Sequence, residues 1–326
     1  MSRLGVIIVT YNSADVIRDC LETLLSSAAK MAVVVVDNAS TDSTVSTITD
    51  WASGKDGYTP PRDAPFPVWP VAKPVARISL LRSPSNGGFA TGVNIGLKHL
   101  LKKPDIDRFW VLNPDTLVPP ETPEKLADAP DGFALMGNRL LYADSPHHVQ
   151  LDAGTINWTT GVTGNLNLGQ TRNTAIADAG QAAFISGASM VASRAFVEAA
   201  GLMSEDYFLY YEEVDWALRR GGLPLAICPD ATVYHRAGTA IGSPTLTTAA
   251  SPFSTYYKHR ARMKFLRRHK PLSLLGGYVY GLAKAGQMVR LGQTPQAVAV
   301  LRALHGLPIS SNKAAQPRNE IVQRRI

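Results

Sequence analysis

The chain has 326 residues, of which 45% are hydrophobic and 18% are charged, so it can bury a sizeable core and wholesale disorder is excluded. Its two cysteines, Cys20 and Cys228, are too few for a disulfide framework or a multi-cysteine zinc site, and they suit a reducing compartment. The first apolar run, residues 4–10, is too short for a secretory leader, so we expect a cytoplasmic protein.

The formal net charge of +7 is distributed unevenly. Residues 251–326 contain 14 Lys and Arg and a single acid, Glu320, whereas residues 1–250 are mildly acidic. This asymmetry predicts that the basic tail alone contacts an anionic surface, and nucleic acid and anionic lipid both fit that pattern.

Strand and helix signals alternate through the first 115 residues. Continuous apolar runs predict four strands buried on both faces: 4–10, 31–36, 78–81 and 109–112. Apolar residues at helical spacing predict helices between them: 16–25, capped by Asn12 and Ser13, then 45–51 and 93–101. Such alternation predicts an α/β fold with a parallel sheet and right-handed crossovers.

Residues 54–75 interrupt this alternation with six prolines, which exclude helix and central strand. We interpret the segment as a long extended loop, either an inert surface insertion or a mobile flap near the ligand.

After residue 115 the pattern is less regular. The predicted strands are 184–191, 225–228 and 232–234, and the predicted helices are 194–200 and 212–220. From Tyr256 onward the sequence predicts helix, with interruptions at Pro271 and around Gly276-Gly277.

Polar clusters follow three of the predicted strands: Thr10-Tyr11-Asn12, Asp37-Asn38 and Asn113-Pro114-Asp115. A lone Asp after a strand is usually a turn or cap residue. Ligands of open α/β sheets bind beyond the carboxyl ends of the strands, so three clusters at equivalent ends favour one shared site.

A glycine-rich segment, Asn86-Gly87-Gly88, opens the helix that carries Asn94. Backbone N–H groups at such a helix entry can approach an anion. The segment lacks the spacing of a dinucleotide fingerprint or a P-loop, which argues against both.

Three carboxylates, Glu212, Glu213 and Asp215, stand within four residues among aromatic side chains. They are either a solvated acidic helix start or a partly buried group in which crowding raises one pKa, as a general base near neutral pH requires. His235 ends a short strand. A lone histidine is usually structural, but Asp115 and His235 together could hold a divalent ion with diphosphate oxygens.

The basic tail combines cationic and apolar residues over 256–269 and 272–291. Helices of this kind lie on anionic membrane surfaces, and we favour that interpretation for residues 256–291. The alternative is a helical cap on the main domain with a solvated cationic face.

Seven segments occur in an order that resembles the inverting GT-A glycosyltransferases of family two, in particular the rhamnosyltransferase-like branch. Together they span residues 4 to about 240. The segments are Val9-Thr10-Tyr11-Asn12, Val36-Asp37-Asn38-Ala39-Ser40-Thr41-Asp42, Asn86-Gly87-Gly88-Phe89-Ala90-Thr91-Gly92-Val93-Asn94, Leu112-Asn113-Pro114-Asp115, Ser186-Gly187-Ala188, Glu212-Glu213-Val214-Asp215 and His235.

The resemblance implies a GT-A fold, a Rossmann-like and mostly parallel sheet flanked by helices. The glycosyltransferase domain would cover 1–245, with a nucleotide-binding half at 1–115 and an acceptor and catalytic half at 116–245. Residues 246–326 would form a basic helical C-terminal extension.

The resemblance also implies roles for site residues. Thr10, Tyr11, Asn12 and Asp37 would hold the pyrimidine and ribose of the donor. The rest of the donor site would comprise Asn38, Asn86, Gly87, Gly88, Asn94 and Asn113.

At the chemical centre the family's DxD motif has become Asn113-Pro114-Asp115. Asp115 and His235 would hold Mg²⁺ or Mn²⁺ at the diphosphate. Glu213 stands where the family usually places an Asp as catalytic base, and Glu212 and Asp215 would be supporting carboxylates that contact the acceptor.

The function so implied is inverting transfer of a sugar, with rhamnose as one candidate, from a dTDP- or UDP-sugar to a saccharide or lipid-linked saccharide in cell-surface glycan synthesis. Such an enzyme would be cytoplasmic, in contact with the inner face of the membrane. Two alternatives remain, a nucleotidyltransferase and a non-catalytic nucleic-acid-binding protein. The acidic body argues against nucleic acid as the partner.

Overall fold

The computed structural model describes residues 4–55, 57–61, 64–68, 78–236, 249–309 and the backbone of 322–325. Its strands in chain order are β1 (Leu4–Thr10), β2 (Met31–Asp37), β3 (Ile78–Arg82), β4 (Arg108–Leu112), β5 (Thr116–Leu117), β6 (Leu135–Tyr142), β7 (Val149–Leu151), β8 (Gly154–Ile156), β9 (Thr163–Asn165), β10 (Ser189–Ser193), β11 (Ala226–His235) and β12 (Val322–Arg325). Its helices are α1 (Ile17–Leu25), α2 (Thr44–Ala52), α3 (Phe89–Leu100), α4 (Thr122–Asp128), α5 (Arg194–Ala200), α6 (Glu212–Leu218), α7 (Pro252–His269), α8 (Leu274–Arg290) and α9 (Thr294–Leu304).

Ten of these strands form one sheet in the order β12-β3-β2-β1-β4-β10-β6-β11-β5, with β7 attached to β6. Strands β1 to β4 pair in parallel, as does the pair β6–β11, so most paired residues are parallel. Strand β10 runs antiparallel between β4 and β6 and joins the two halves of the sheet. The predicted α/β fold with a mostly parallel sheet is confirmed.

Helices cover both faces of the sheet, and β1 shows why. Its alternate residues Ile7 and Val9 face one buried cluster, which includes α3, whereas Val6 and Ile8 face a second cluster with α1 and α2. Fully burying such a side chain stabilises the fold by about 1.5–3 kcal/mol. A continuous apolar run is what burial on both faces requires.

The predicted capping of the first helix by the side chains of Asn12 and Ser13 needs correction. Helix α1 begins at Ile17 with Val16 as its N-cap and without a side-chain cap. Ser13 instead accepts the N–H groups of Val16 and Ile17 through its carbonyl oxygen. The Asn12 side chain accepts the N–H of Thr41, which holds the two loops together.

The second half was predicted less well. The strand expected at 184–191 begins only at Ser189, and the two strands expected at 225–228 and 232–234 are one bulged strand, β11. Strand β6 was missed because Asn138 and Arg139 interrupt its apolar run. Both are buried there, and Arg139 pairs with Asp152 at 2.8 Å.

Helices α7 to α9 pack on one another and on the body. Phe265 of α7 lies in the main core, and Arg268 and His269 bind Asp215 of the body. Helix α8 runs without a break through Gly276-Gly277, contrary to the prediction. The missing side chains let it approach its neighbours, since a Cβ on Gly276 would lie 2.2 Å from the Thr159 carbonyl oxygen.

None of the helices within the described ranges is long and apolar enough to cross a bilayer. The described parts of the proline-rich segment contain no helix or strand, and Tyr58 there donates to Asp19 at 2.9 Å. The remainder of that segment and the expected domain boundary at 245 lie outside the described residues.

Candidate active site

A cavity of about 580 Å³ opens beyond the carboxyl ends of β1, β2 and β4. It brings together nine of the predicted site residues: Tyr11, Asn38, Asn86, Gly88, Asn113, Asp115, Glu212, Glu213 and His235. The Ser186-Gly187-Ala188 segment completes the wall between them. Six predicted residues do not line it: Thr10, Asn12, Asp37, Gly87, Asn94 and Asp215.

Thr10 and Asp37 are buried beneath the cavity floor. Their side chains lie 3.4 Å apart, and Asp37 also accepts the N–H of Ser40. They therefore shape the loops after β1 and β2, while Tyr11 and Asn38 are the members of those clusters that face the cavity.

The glycine-rich entry to α3 is held by asparagine side chains. Asn38 donates to Asn86 at 3.0 Å and to the Gly88 carbonyl at 2.9 Å. The N–H of Gly87 is taken by Asn38, that of Gly88 by Asn86, and that of Phe89 by the Phe208 carbonyl. In this arrangement the three N–H groups have protein acceptors, and their approach to an anion stays a prediction.

Asn94 has a structural position inside α3. It is buried, and it donates to the Met203 carbonyl at 3.0 Å and to Glu205 at 2.8 Å. It thus fixes the start of the segment that leads to the acidic cluster.

The loop before the acidic cluster has unusual backbone geometry. Phe208, Tyr210 and Tyr211 all have positive φ angles, near 70°, a region that costs a non-glycine residue about 1–3 kcal/mol. Three hydrogen bonds hold the loop. The Phe89 N–H donates to the Phe208 carbonyl, the Tyr210 hydroxyl lies 2.5 Å from the Ser254 hydroxyl of α7, and the Tyr211 hydroxyl donates to the Gly161 carbonyl at 2.6 Å. Because of this loop, α6 starts with its first two carboxyls at the cavity wall.

Glu212 and Glu213 differ in their surroundings. Burial, together with the charge of Glu213, raises the pKa of Glu212 well above its usual value, and its Oε2 atom has no hydrogen-bond partner within the described part of the chain. Burial also raises the pKa of Glu213 to about 7, although backbone hydrogen bonds and the positive charge of Lys258 lower it. A carboxyl with this pKa can take up a proton near neutral pH.

Asp215 lies away from the cavity. Its carboxyl binds His269 at 2.7 Å, Arg268 at 3.1 Å and Arg219 at 3.2 Å, and it accepts the Tyr207 hydroxyl. Burial would raise its pKa, but the hydrogen bonds from His269 and Arg268 outweigh burial and lower it. The predicted contact of Asp215 with an acceptor is therefore corrected: this residue anchors α7 to α6.

Asp115 and His235 meet on the opposite wall, with Asp115 Oδ1 3.2 Å from His235 Nε2. The other ring nitrogen, Nδ1, lies 2.9 Å from Gln150 Oε1, and this contact orients the ring. Nε2 also lies 3.3 Å from the Asn113 amide. Carboxylate oxygen and imidazole nitrogen side by side are donors that suit Mg²⁺ or Mn²⁺. The residues present thus fit a divalent ion.

A second pocket of about 180 Å³ shares Glu213, Ser186, Tyr210 and His235 with the cavity. Polar side chains dominate the rest of its wall: Gln150, Thr163, Asn165 and Lys258. These four were not predicted from the sequence because no local motif marks them, and only Thr163 and Asn165, both on β9, lie close together in the chain. Only the basic character of the segment 256–269 signalled Lys258.

In sequence, the chain is similar to known glycosyltransferases. Residues 5–62 match the family profile described as Glycosyl transferase family 2. A low-salt glycan biosynthesis hexosyltransferase, Agl10 of Haloferax volcanii, is 26% identical over 238 residues, which is 71% of this chain and 66% of that protein. The chain therefore spans about two thirds of the length of this relative.

Three solved structures show the same fold. The mannosyltransferase PcManGT from Pyrobaculum calidifontis, in complex with GDP-Man and Mn²⁺, has a TM-score of 0.51 at 18% identity and covers 94% of this chain and 76% of its own. TarS 1–349 of S. aureus has a TM-score of 0.50 at 16% identity, with 93% and 81% covered. GalNAc-T7 with UDP, GalNAc and Mn²⁺ has a TM-score of 0.57 at 11% identity, with 94% and 56% covered.

The architecture is thus that of GT-A glycosyltransferases, as the sequence predicted. In sequence, residues 5–62 are similar to family 2 glycosyl transferases, and a longer part of the chain is similar to a hexosyltransferase of glycan biosynthesis.

Proposed function

We propose that this protein transfers a sugar, with inversion, from a nucleoside-diphosphate sugar to a hydroxyl of a saccharide or lipid-linked saccharide in cell-surface glycan synthesis. The observation that carries the proposal is that Glu213 and the Asp115–His235 pair face one cavity beyond the carboxyl ends of the parallel strands. dTDP-rhamnose and UDP-sugars are the candidate donors. The GDP-Man complex of PcManGT and a UDP-GlcNAc complex of TarS 1–349 add the donors of those proteins to the panel.

In the proposed reaction Glu213 accepts the proton of the acceptor hydroxyl. The oxygen forms a bond to the anomeric carbon, and the bond from that carbon to the diphosphate oxygen breaks on the opposite face, with the electron pair leaving on the diphosphate. Burial and the charge of Glu213 raise the pKa of Glu212 well above its usual value, which favours one negative charge rather than two facing the acceptor. This single displacement needs no covalent enzyme intermediate.

Asp115 and His235, with Asn113 beside them, would hold Mg²⁺ or Mn²⁺. The bound ion would neutralise charge that develops on the diphosphate leaving group. Within the described residues no group of three or more His, Cys, Asp and Glu side chains is arranged to hold a metal, so this pair would share the ion with diphosphate oxygens.

We place the acceptor in the second pocket. Its amide and hydroxyl groups suit a sugar, and Glu213 stands at its junction with the cavity. The donor would then occupy the larger cavity between Tyr11 and Asp115, so the two substrates would meet at the base.

The test is nucleotide release from the donor panel, with an acceptor mixture, in Mn²⁺ or EDTA. Glu213→Gln removes the proton acceptor and keeps the shape of the side chain, so we expect turnover to fall by about 10²–10⁴-fold while donor binding is retained. Glu198→Gln is the matched control because Glu198 is an exposed acid that pairs with Arg194 on α5. If Glu213→Gln keeps the activity of the Glu198→Gln control, Glu213 is not the base; if no nucleotide sugar binds, the proposed function is wrong.

A further inference from the structure

Helix α8 has one face whose large apolar side chains are exposed among the residues that the structure describes. Positions 275, 279, 282, 286 and 289 follow one another at spacings of four and three, so they line up along one side of the helix. The large apolar residues on this line, with Leu272 two positions before the helix, form what we call the apolar stripe; their exposed fractions are Leu272 94%, Leu275 73%, Val279 55%, Leu282 41% and Val289 56%.

The opposite face of α8 fixes this orientation. Gly277, Gly281, Ala285 and Met288 are buried towards α7 and α9. A Cβ on Gly277 would lie 2.4 Å from Leu266, and one on Gly281 2.7 Å from Leu304. Since α8 packs this closely through glycines, it cannot rotate to bury the apolar stripe.

Cations flank the apolar stripe at both ends. Arg267 and Lys270 precede Leu272, and Arg290 follows Val289; all three are exposed. No acidic residue occurs anywhere between positions 252 and 304, whereas ten Lys and Arg do. Other cations of the extension already serve the body, since Lys264 and Arg268 bind Asp206.

We propose that α8 docks through the apolar stripe on an anionic lipid bilayer. The helix lies in the plane of the surface, with the apolar stripe at the boundary between headgroups and acyl chains. Arg267, Lys270 and Arg290 contact lipid phosphates. From Leu275 to Val289 the apolar stripe extends over about 21 Å, since a helix rises about 1.5 Å per residue. This inference goes beyond the proposed function and does not depend on it.

Charge distinguishes a bilayer from a second copy of the chain. If two copies packed α8 against α8, each apolar stripe would bring its flanking cations towards those of its partner, in either helix direction. The helices α7 to α9, residues 252–304, supply no carboxylate to compensate them. An anionic bilayer offers both an apolar layer and negative charge.

The test is co-sedimentation of the full-length protein with vesicles of phosphatidylcholine or of phosphatidylcholine mixed with phosphatidylglycerol. We expect binding to the mixed vesicles, and a loss of at least about tenfold in the Leu275→Ser/Leu282→Ser variant because two apolar side chains that would enter the bilayer become polar. The matched control is Leu168→Ser/Leu307→Ser, two residues of similar exposure off the apolar stripe. An Arg267→Gln/Lys270→Gln/Arg290→Gln variant should lose the preference for phosphatidylglycerol.

Equal binding by the stripe variant and its control would overturn the proposal, as would failure of the wild type to bind mixed vesicles. Circular dichroism and thermal melting confirm that each variant is folded, which is expected because the altered side chains are exposed. Sedimentation velocity tests the remaining outcome. If the wild type does not bind vesicles and forms a dimer that the stripe variant abolishes, the apolar stripe docks on a second copy of the chain and not on a bilayer.

Discussion

The carboxyl of Glu213 sets the expected pH dependence of the reaction. Its pKa is raised to about 7 by burial, and a base acts only when ionised. We therefore expect kcat/KM to fall about tenfold per pH unit below 7 and to level off above it. The measurement is a pH profile at saturating metal; a rate that stays flat down to pH 5.5 would contradict the role of Glu213.

Lys258 contributes to that pKa across the second pocket. Its positive charge lowers the pKa of Glu213 against the larger effect of burial, so Lys258→Met should raise the pKa and move the acidic limb of the profile to higher pH. Lys55→Met, an exposed lysine on the turn after α2, serves as the control and should leave the profile unchanged. A change in KM alone would assign Lys258 to acceptor binding rather than to the base.

Asp215 is expected to matter for stability. Asp215→Asn would leave Arg268 and His269 without their buried anion, at a cost of about 1–3 kcal/mol in the free energy of unfolding, measured by urea titration. Because its pKa is lowered in the folded protein, its contribution is present above the usual Asp pKa and is lost as pH falls through the folded value. Asp206→Asn, the exposed partner of Arg268, should cost less than about 1 kcal/mol.

At the scale of elements, the loop 208–211 depends on Gly88. A Cβ there would lie 2.1 Å from the Phe208 carbonyl oxygen, and φ is +89°. Gly88→Ala should displace the loop and lower kcat by at least about tenfold, since misplacement of about 1 Å is costly in an active site. Gly132→Ala has a similar φ, +93°, with no atom within 4 Å, so it tests backbone strain without the contact. Similar kcat losses in both variants would contradict this role.

The sequence predicted best those elements whose residues share one environment. Strands β1 to β4 were found within one residue at each end because each is apolar on both faces. Strand β6 was missed since Arg139 finds its partner, Asp152, beyond the strand itself. The helix break expected at Gly276-Gly277 does not occur. Helix propensity does not include tertiary packing, and here a Cβ on Gly276 would lie 2.2 Å from the Thr159 carbonyl oxygen, so the helix packs closely where glycine stands.

Prediction of the site from the sequence was limited in the same way. Motif order indicated that Glu213, Asp115 and His235 belong to one cavity, and they line it. It could not separate Asn38, which faces the cavity, from Asp37, which is buried below it. Nor could it reveal Gln150, which binds His235 from 85 residues away along the chain.

At the scale of the whole molecule, the C-terminal helices share the core of the body. Phe265 packs against Tyr211 with ring centroids 5.3 Å apart, and α7 holds Asp215 through two side chains. We therefore expect calorimetry to show one cooperative unfolding transition rather than two. Two transitions, one of them absent from a chain ended at residue 248, would instead identify an independent extension.

The loop 208–211 has one further consequence, for protein engineering. It is held by the Phe89 N–H on one side and by Ser254 on the other, so two segments far apart in the chain together fix the loop that leads to Glu213. Chimeras that exchange only one of these two segments between relatives to alter sugar preference should lose turnover. We expect turnover to be kept when both segments come from the same relative. Engineering of new specificities in this scaffold therefore requires that both segments be exchanged together, because both hold the same loop.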